Sequence, residues 1–376
     1  MRIGIDCRTI LDPQKGEAAG VGHYTYHLVD NLLKIDKKNQ YILLFDQGVG
    51  DAGYFKRKNS LIKFFPSREY KKFLPVVYSH LLCSAVLERE KLDVFHSPAS
   101  TIPLCYSKNA IITVHDLAIY QNPKWFPRQI FATRVSVPQS LKKAKKIIAV
   151  SKHTGADLQK FLKVPKEKIA VVYNGVEARK DLDEVLPQDR QEICRKFGIK
   201  QNFILFIGTL QPRKNVEGLI LAFDKLRNSE IFKNYQLVIA GKRGWGYKPI
   251  FEKTKKLTLT KKVIFCDYVS LEDKIRLLNA ASVFVFPSFY EGFGLSILEA
   301  MRQGTPVITS NITSMPEIAG RAGYLIDPYK INSIAKGIKE VLTNQNLRQR
   351  MIRAGYAQAK KFSWEKCARE TLKIYK

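Results

Sequence analysis

Phe286-Pro287-Ser288-Phe289-Tyr290-Glu291-Gly292-Phe293-Gly294-Leu295-Ser296-Ile297-Leu298-Glu299-Ala300-Met301 is the stretch from which the fold of this chain is read. Residues 281–286 are short, β-branched and aromatic, the composition of a buried strand. Leu295, Ile297, Leu298, Ala300 and Met301 suit a buried helix. Between strand and helix, Gly292 and Gly294 let the backbone approach a ligand, and a helix start offers unpaired N–H groups to an anion such as a diphosphate. Glu291 is expected at the mouth of this turn, with Glu299 eight residues on. With helical residues between them the two carboxylates stand about 12 Å apart, roughly the reach of a nucleotide sugar. One would accept hydrogen bonds from sugar hydroxyls and the other from a ribose, with phosphates at the helix start between them.

An isolated E-x7-E is a weak pattern that solvated helix residues beside a turn also produce. The full string from Glu291 to Met301, in its strand-loop-helix setting, is far more specific. It resembles the signature of the retaining glycosyltransferases of family 4. That resemblance implies an α/β fold of GT-B architecture, two facing Rossmann-like doubly wound domains with an interdomain cleft.

Length and composition agree. At about 150 residues per domain, 376 residues make two or three domains, enough for two sizeable cores. A hydrophobic content of 45% with 26% charged residues is that of a globular protein. No apolar run approaches the roughly 18 residues that span a bilayer, and residues 1–6 read as a first strand rather than a leader, so a cytoplasmic chain is expected. Cys7, Cys83, Cys105, Cys194, Cys266 and Cys367 are scattered without metal-ligand spacing and read as reduced thiols. No metal and no cofactor is expected.

The unusual quantity is charge: 63 basic against 34 acidic residues, +29. A field of that sign implies an anionic partner. Residues 1–175 hold 28 basic and 14 acidic side chains, +14, leaving +15 for the rest, so the excess is not confined to a tail. Clusters occur at Lys56-Arg57-Lys58, around Lys71 and Lys72, and at Lys142-Lys143-Ala144-Lys145-Lys146, where a solvated surface is the competing reading.

Strand and helix alternate through the first half. Strands are expected at 2–6, 41–45, 61–65, 94–96, 111–114, 147–150 and 169–172, and helices at about 23–33, 69–87, 128–143 and 152–162. This pattern makes an open parallel sheet, whose ligands sit at the carboxyl ends of the strands. The second half repeats it, with strands at 203–207, 237–240, 263–265, 283–286, 307–309 and 324–326. Asn174-Gly175-Val176 is a turn signal and resembles the family's entry into the hinge. The expected domains are therefore 1–175 and 176–361. By resemblance, a helix at 362–376 with Trp364, Leu372 and Tyr375 on its apolar face returns to the first domain.

Three further landmarks fall at strand ends. Gly20-Val21-Gly22 resembles the family's glycine loop after the first strand, and would bring backbone to a phosphate at a helix start. His115 directly follows strand 111–114 and is similar to the family's histidine that faces the donor sugar. His96 has a weaker claim, His153 reads as part of a helix start capped by Ser151, and Asp6 and Arg8 read as a pair. Gly208-Thr209-Leu210-Gln211-Pro212-Arg213-Lys214-Asn215 follows the first strand of the second half and resembles the family's phosphate-binding turn. Many members carry arginine at the position of Thr209. Lys214 matches the common pattern and Arg213 a mannosyltransferase-like variant, while Ser296 stands where that subgroup often has proline.

The resemblance implies retaining transfer of a hexose from a nucleoside-diphosphate sugar to a hydroxyl of a glycan or lipid-linked saccharide, in cell-surface polysaccharide synthesis. Arg213, Lys214 and the N–H groups near Phe293 to Leu295 would hold the diphosphate, Glu291 and His115 the sugar, and Glu299 the ribose. Mannose from GDP-mannose is the first choice of donor on subgroup resemblance. Alternatives are an epimerase of the same architecture and a nucleic-acid-binding protein. The latter lacks any helix-turn-helix, zinc-finger or RNA-recognition signature, so no nucleic acid is expected as a partner. A Rossmann oxidoreductase would need G-x-G-x-x-G directly after a strand, and Gly20-Val21-Gly22 lacks the third glycine. Finally, residues 54–78 interleave basic groups with Phe55, Leu61, Phe64, Phe65, Phe73 and Leu74. That mixture points to peripheral docking on an anionic cytoplasmic membrane face.

Overall fold

The computed structural model describes residues 1–12, 20–49, 51–65, 77–103, 105–126, 130–177, 187–200 and 202–376. It divides into two compact units, Met1–Gly175 with Ser363–Lys376, and Val176–Phe362.

The first unit is built on seven parallel strands: β1 (Arg2–Asp6), β2 (Gln40–Asp46), β3 (Ser60–Phe65), β4 (Val94–Ser97), β5 (Ala110–Val114), β6 (Lys146–Ala149) and β7 (Ile169–Val171). Their order is β3-β2-β1-β4-β5-β6-β7, with Ile3 registered on Tyr41 to one side and on Val94 to the other. Central strands such as β1 and β5 are buried almost throughout because helices cover both faces of the sheet. Among the described residues the first helix spans Gly20–Ile35, so Val21 and Gly22 are helical where a turn ahead of His23 was expected. The remainder of the expected loop, and the first part of the helix expected at 69–87, lie outside the described residues; from Val77 to Arg89 the chain is helical.

The second unit carries β8 (Asn202–Ile207), β9 (Tyr235–Ala240), β10 (Val263–Asp267), β11 (Val283–Phe286), β12 (Val307–Ser310) and β13 (Gly323–Ile326) in the order β10-β9-β8-β11-β12-β13. Strand order reverses between β8 and β11, which makes their carboxyl ends the switch point where such sheets open a crevice.

The terminal helix Trp364–Tyr375 belongs to the first unit and packs on Gly20–Ile35. Its start is set by Ser363, whose side chain accepts from the Lys366 N–H. Trp364 stacks on His27 at 5.0 Å between ring centroids, and Cys367, Ala368 and Tyr375 enter the core with Ile3, Ile5 and Leu28. Gly175 fits because the backbone of Ser363 and Trp364 passes where a Cβ would stand. Gly175→Ala is therefore expected to cost about 1–3 kcal/mol of stability by overpacking. An unchanged thermal midpoint would contradict this contact.

Candidate active site

The two predicted motifs of the second unit meet at the switch point. After β8 the chain makes a 3-10 turn, Pro212–Lys214, ended by Asn215 in the left-handed region at φ 55°. After β11 it runs through Pro287–Gly294 and enters the helix Leu295–Arg302. Gly294 ends the loop at φ 96°, a conformation that favours glycine. The two loops are tied by the Phe289 N–H donating to the Arg213 carbonyl at 2.8 Å.

Glu291 lies beneath this junction and not at its mouth, with only 7% of its surface exposed. Lys214 Nζ donates to Glu291 Oε1 at 2.6 Å, and Arg213 Nη1 donates to Oε2 at 3.0 Å and to the Tyr290 carbonyl at 2.9 Å. Lys214 is 8% exposed, and its ammonium lies 4.8 Å from the centre of the Phe286 ring. Burial alone raises the Glu291 pKa, but the charges of Arg213 and Lys214 outweigh it and bring the carboxyl down to about 2. The cluster thus holds two cations against one anion. Thr313 and Ser314, after β12, brace it: Thr313 Oγ1 accepts from the Glu291 N–H at 3.3 Å, and Ser314 Oγ donates to the carbonyls of Glu291 and Phe293 at 2.8 and 3.0 Å.

Gly292, Phe293 and Gly294 are buried as they lead to the helix start, where Leu295 is half-buried and the Ile297 N–H donates to the Gly294 carbonyl at 3.0 Å. Glu299 lies on this helix, and Lys274 Nζ donates to its Oε1 at 2.7 Å. Since residues 291–294 are not helical, the 12 Å separation read from a continuous helix does not apply. Thr209 is exposed just beyond β8.

His115, Gly20 and Gly22 belong to the first unit. His115 follows β5, is half-buried, and donates from Nε2 to the Pro98 carbonyl at 2.7 Å, which leaves Nδ1 as the acceptor of the neutral ring. Burial lowers its pKa against the opposing pull of that hydrogen bond and of Asp116. His96 is fully buried between Tyr375 Oη at 2.7 Å and Thr113 Oγ1 at 2.8 Å, with its pKa pushed down to about 3, chiefly by burial. It is structural. Ser151 caps the helix Lys152–Leu162, and Arg8 grips Asp6 through Nε at 2.9 Å and Nη2 at 2.7 Å.

Lys274, Thr313 and Ser314 were missed in the sequence. Lys274 had a signal: three and four residues before Leu277 and Leu278, it falls, with Asp273, on the face that the helix Leu271–Ala280 buries. No group of three metal-ligating side chains occurs among the described residues. The sequence does contain one Asp-x-Asp triplet, Asp181-Leu182-Asp183, which lies outside the described residues.

Two Rossmann-like units, one with a cation-lined helix start at its switch point, define a glycosyltransferase of GT-B type. Residues 18–180 match the family described as Glycosyltransferase Family 4, and residues 189–358 match Glycosyl transferases group 1. The chain is 35% identical over 285 residues to O-antigen chain mannosyltransferase B of Escherichia coli, covering 75% of this chain and 74% of that one. It is 27% identical over 276 residues to the serotype-specific mannosyltransferase WbdA of Escherichia coli, covering 72% of this chain but only 33% of that longer relative. In fold it is similar to Anabaena Alr3699/HepE, solved in complex with UDP and glucose, at a TM-score of 0.74 and 17% identity over 99% of this chain and 98% of that one. The chain belongs to glycosyltransferase family 4, on the mannosyltransferase-like side of it, and is a hexosyltransferase.

The buried cluster has a measurable signature. With a folded pKa of about 2 against an ordinary 4.5, ionised Glu291 contributes its full stabilisation above about pH 4.5 and loses it as pH falls toward 2. Glu291→Gln should cost about 3–5 kcal/mol at neutral pH by leaving two buried cations uncompensated. In thermal melts, the gap between wild type and variant should narrow below pH 4.5. A gap that stays constant with pH would show that Glu291 is not held as an anion by this pair.

Proposed function

We propose that the chain is a retaining hexosyltransferase that moves mannose from GDP-mannose to a hydroxyl of a glycan or lipid-linked saccharide during cell-surface polysaccharide synthesis. The observation that carries this reading is the buried grip of Arg213 and Lys214 on Glu291 beside the helix start at Leu295. Similarity to two mannosyltransferases of Escherichia coli supports the sugar, and the UDP-bound structural neighbour supports a nucleotide-sugar donor.

In this reading the diphosphate sits on the N–H groups from Gly292 to Leu295 and takes hydrogen bonds from Arg213 and Lys214. Both are already held in place, so little reorganisation accompanies the chemistry. The bond from the anomeric carbon to the phosphate oxygen breaks and its electron pair leaves with the nucleoside diphosphate. The acceptor oxygen bonds to the same face of that carbon, and its proton passes to the departing phosphate. The excess cation of the cluster offsets the growing charge. Each Glu291 oxygen keeps a lone pair beyond its ion pair and accepts a sugar hydroxyl. His115, in the first unit, keeps Nδ1 as a neutral acceptor. Glu299 takes the ribose.

A panel of nucleotide sugars assayed for nucleoside-diphosphate release, with and without saccharide acceptors, tests the assignment. Glu291→Ala and Lys214→Ala should each lower transfer by about ten- to hundredfold. Activity should persist in chelator. Wild-type turnover in either variant removes that residue from the site, and loss in EDTA that magnesium or manganese restores overturns the metal-free scheme.

We also propose reversible docking on an anionic membrane through the β3 edge. No helix among the described residues is long and apolar enough to cross a membrane. Phe55 and Phe65, expected to insert, are core residues instead. Leu61 and Phe64 on the edge strand are 42% and 45% exposed, beside exposed Lys56, Arg57, Lys58 and Lys63. Arg68, Lys71, Lys72, Phe73 and Leu74 lie outside the described residues. The Lys142 to Lys146 cluster leads into β6, which β2, β1, β4 and β5 separate from β3, so it does not extend this patch. Basic groups near an anionic leaflet contribute about 1 kcal/mol each. Flotation with anionic vesicles should therefore succeed at low salt and fail when Lys56, Arg57, Lys58 and Phe64 are replaced together. Equal recovery with neutral vesicles would refute it.

A further inference from the structure

Both acidic residues of the signature are already matched to cations, but not to the same ones. Glu291 is held by Arg213 and Lys214, whereas Glu299 is held by Lys274, from the helix Leu271–Ala280 between β10 and β11. Lys274 is 9% exposed, and its neighbour Asp273 is occupied by Lys196 at 2.8 Å through both oxygens. Lys274 therefore serves Glu299. Its ammonium engages Oε1 at 2.7 Å, and Oε2 accepts no hydrogen bond among the described residues.

A buried lysine is a poor stabilising device, since an apolar side chain of like volume serves a core as well or better. The pair makes sense as a positioning device. We infer that Lys274 is a positioning residue for nucleotide recognition, fixing the Glu299 carboxylate by one oxygen so that the other is presented to the donor's ribose hydroxyls. The inference rests on the donor reading above, in which Glu299 meets the ribose. Lys274 has a second effect through charge. Glu291 and Glu299 together bring two negative charges, and Arg213 with Lys214 cancels them, leaving nothing over for a diphosphate. With Lys274 the five residues sum to +1. Without it, Glu299 stands as an uncompensated anion on the helix whose start would receive the phosphates.

Lys274→Met keeps the buried stem and removes only the charge, and Lys274→Arg keeps the charge. GDP, UDP and the 2′- and 3′-deoxy forms of each are titrated calorimetrically into the full chain and its variants, with thermal melts run alongside. Wild type should prefer the ribose form over the deoxy forms by at least about tenfold, the worth of a hydrogen bond to a charged group. Lys274→Met and Glu299→Ala should each bring that ratio close to one, and Lys274→Arg should largely retain it. A merely structural pair would lower the melting midpoint and leave the ratio unchanged. If Glu299→Ala erases the preference and Lys274→Met keeps it, Lys274 has no positioning role. If Glu299→Ala also keeps it, or neither nucleotide binds, the donor reading itself falls and the inference with it.

Discussion

Burying Glu291 between two cations is the constraint on which the ligand end of the second unit depends. Taking a carboxylate from water costs several kcal/mol, and the attraction of its partners repays that only if they are held close and in register. The loops are arranged to hold them. The Phe289 N–H bonds to Arg213, Asn215 Nδ2 donates to the Pro328 carbonyl at 2.8 Å, and Ser314 closes on Glu291 and Phe293. Segments following β8, β11, β12 and β13 are thus laced to one another through the residues that carry the charges. The ordering of Arg213 and Lys214 is complete before any anion arrives, so less of the binding energy is spent on it.

What the sequence revealed here was what local chemistry decides. β-Branched runs mark both sheets, and the switch point follows from strands and helices in alternation. The basic turn at Arg213-Lys214 and the glycines before Leu295 are legible because each is a few contiguous residues. The depth of Glu291 is not, because it depends on Thr313 and Ser314, 22 and 23 residues away, folding over its loop. Its separation from Glu299 does not follow from eight helical steps, because the helix begins only at Leu295. Phe64 and Phe65 show the finer limit. They are adjacent on an edge strand and face opposite sides of it, and packing buries Phe65 in one core while leaving Phe64 45% exposed. Composition had pooled them.

The histidines of the first unit make the same distinction from the other side. His96 and His115 sit at the carboxyl ends of adjacent strands, and sequence position barely separates them. Connection does. Tyr375, from the terminal helix, reaches His96 from 279 residues away and, with Thr113, occupies both ring nitrogens. The returning helix therefore completes the interior of the first unit and removes one histidine from chemistry. His115 spends one nitrogen on Pro98, and that bond fixes which tautomer the ring presents.

The chain's +29 and its candidate anion site have different physical origins. Surface lysines lie on both flanks of the first sheet, at β3 and at β6, and their field is screened within about 10 Å at ordinary salt. Arg213, Lys214 and Lys274 are three of the 63 basic residues, yet they are among the least accessible, with little water to screen them. Lys274 and Lys214 act from different secondary elements on two carboxylates of one loop-helix segment, so the local sum of charge is set by a handful of buried groups. Surface charge can shift freely in such a protein without changing that sum. Losing one of these three cations cannot leave it unchanged, because each faces a carboxylate that is itself largely removed from water.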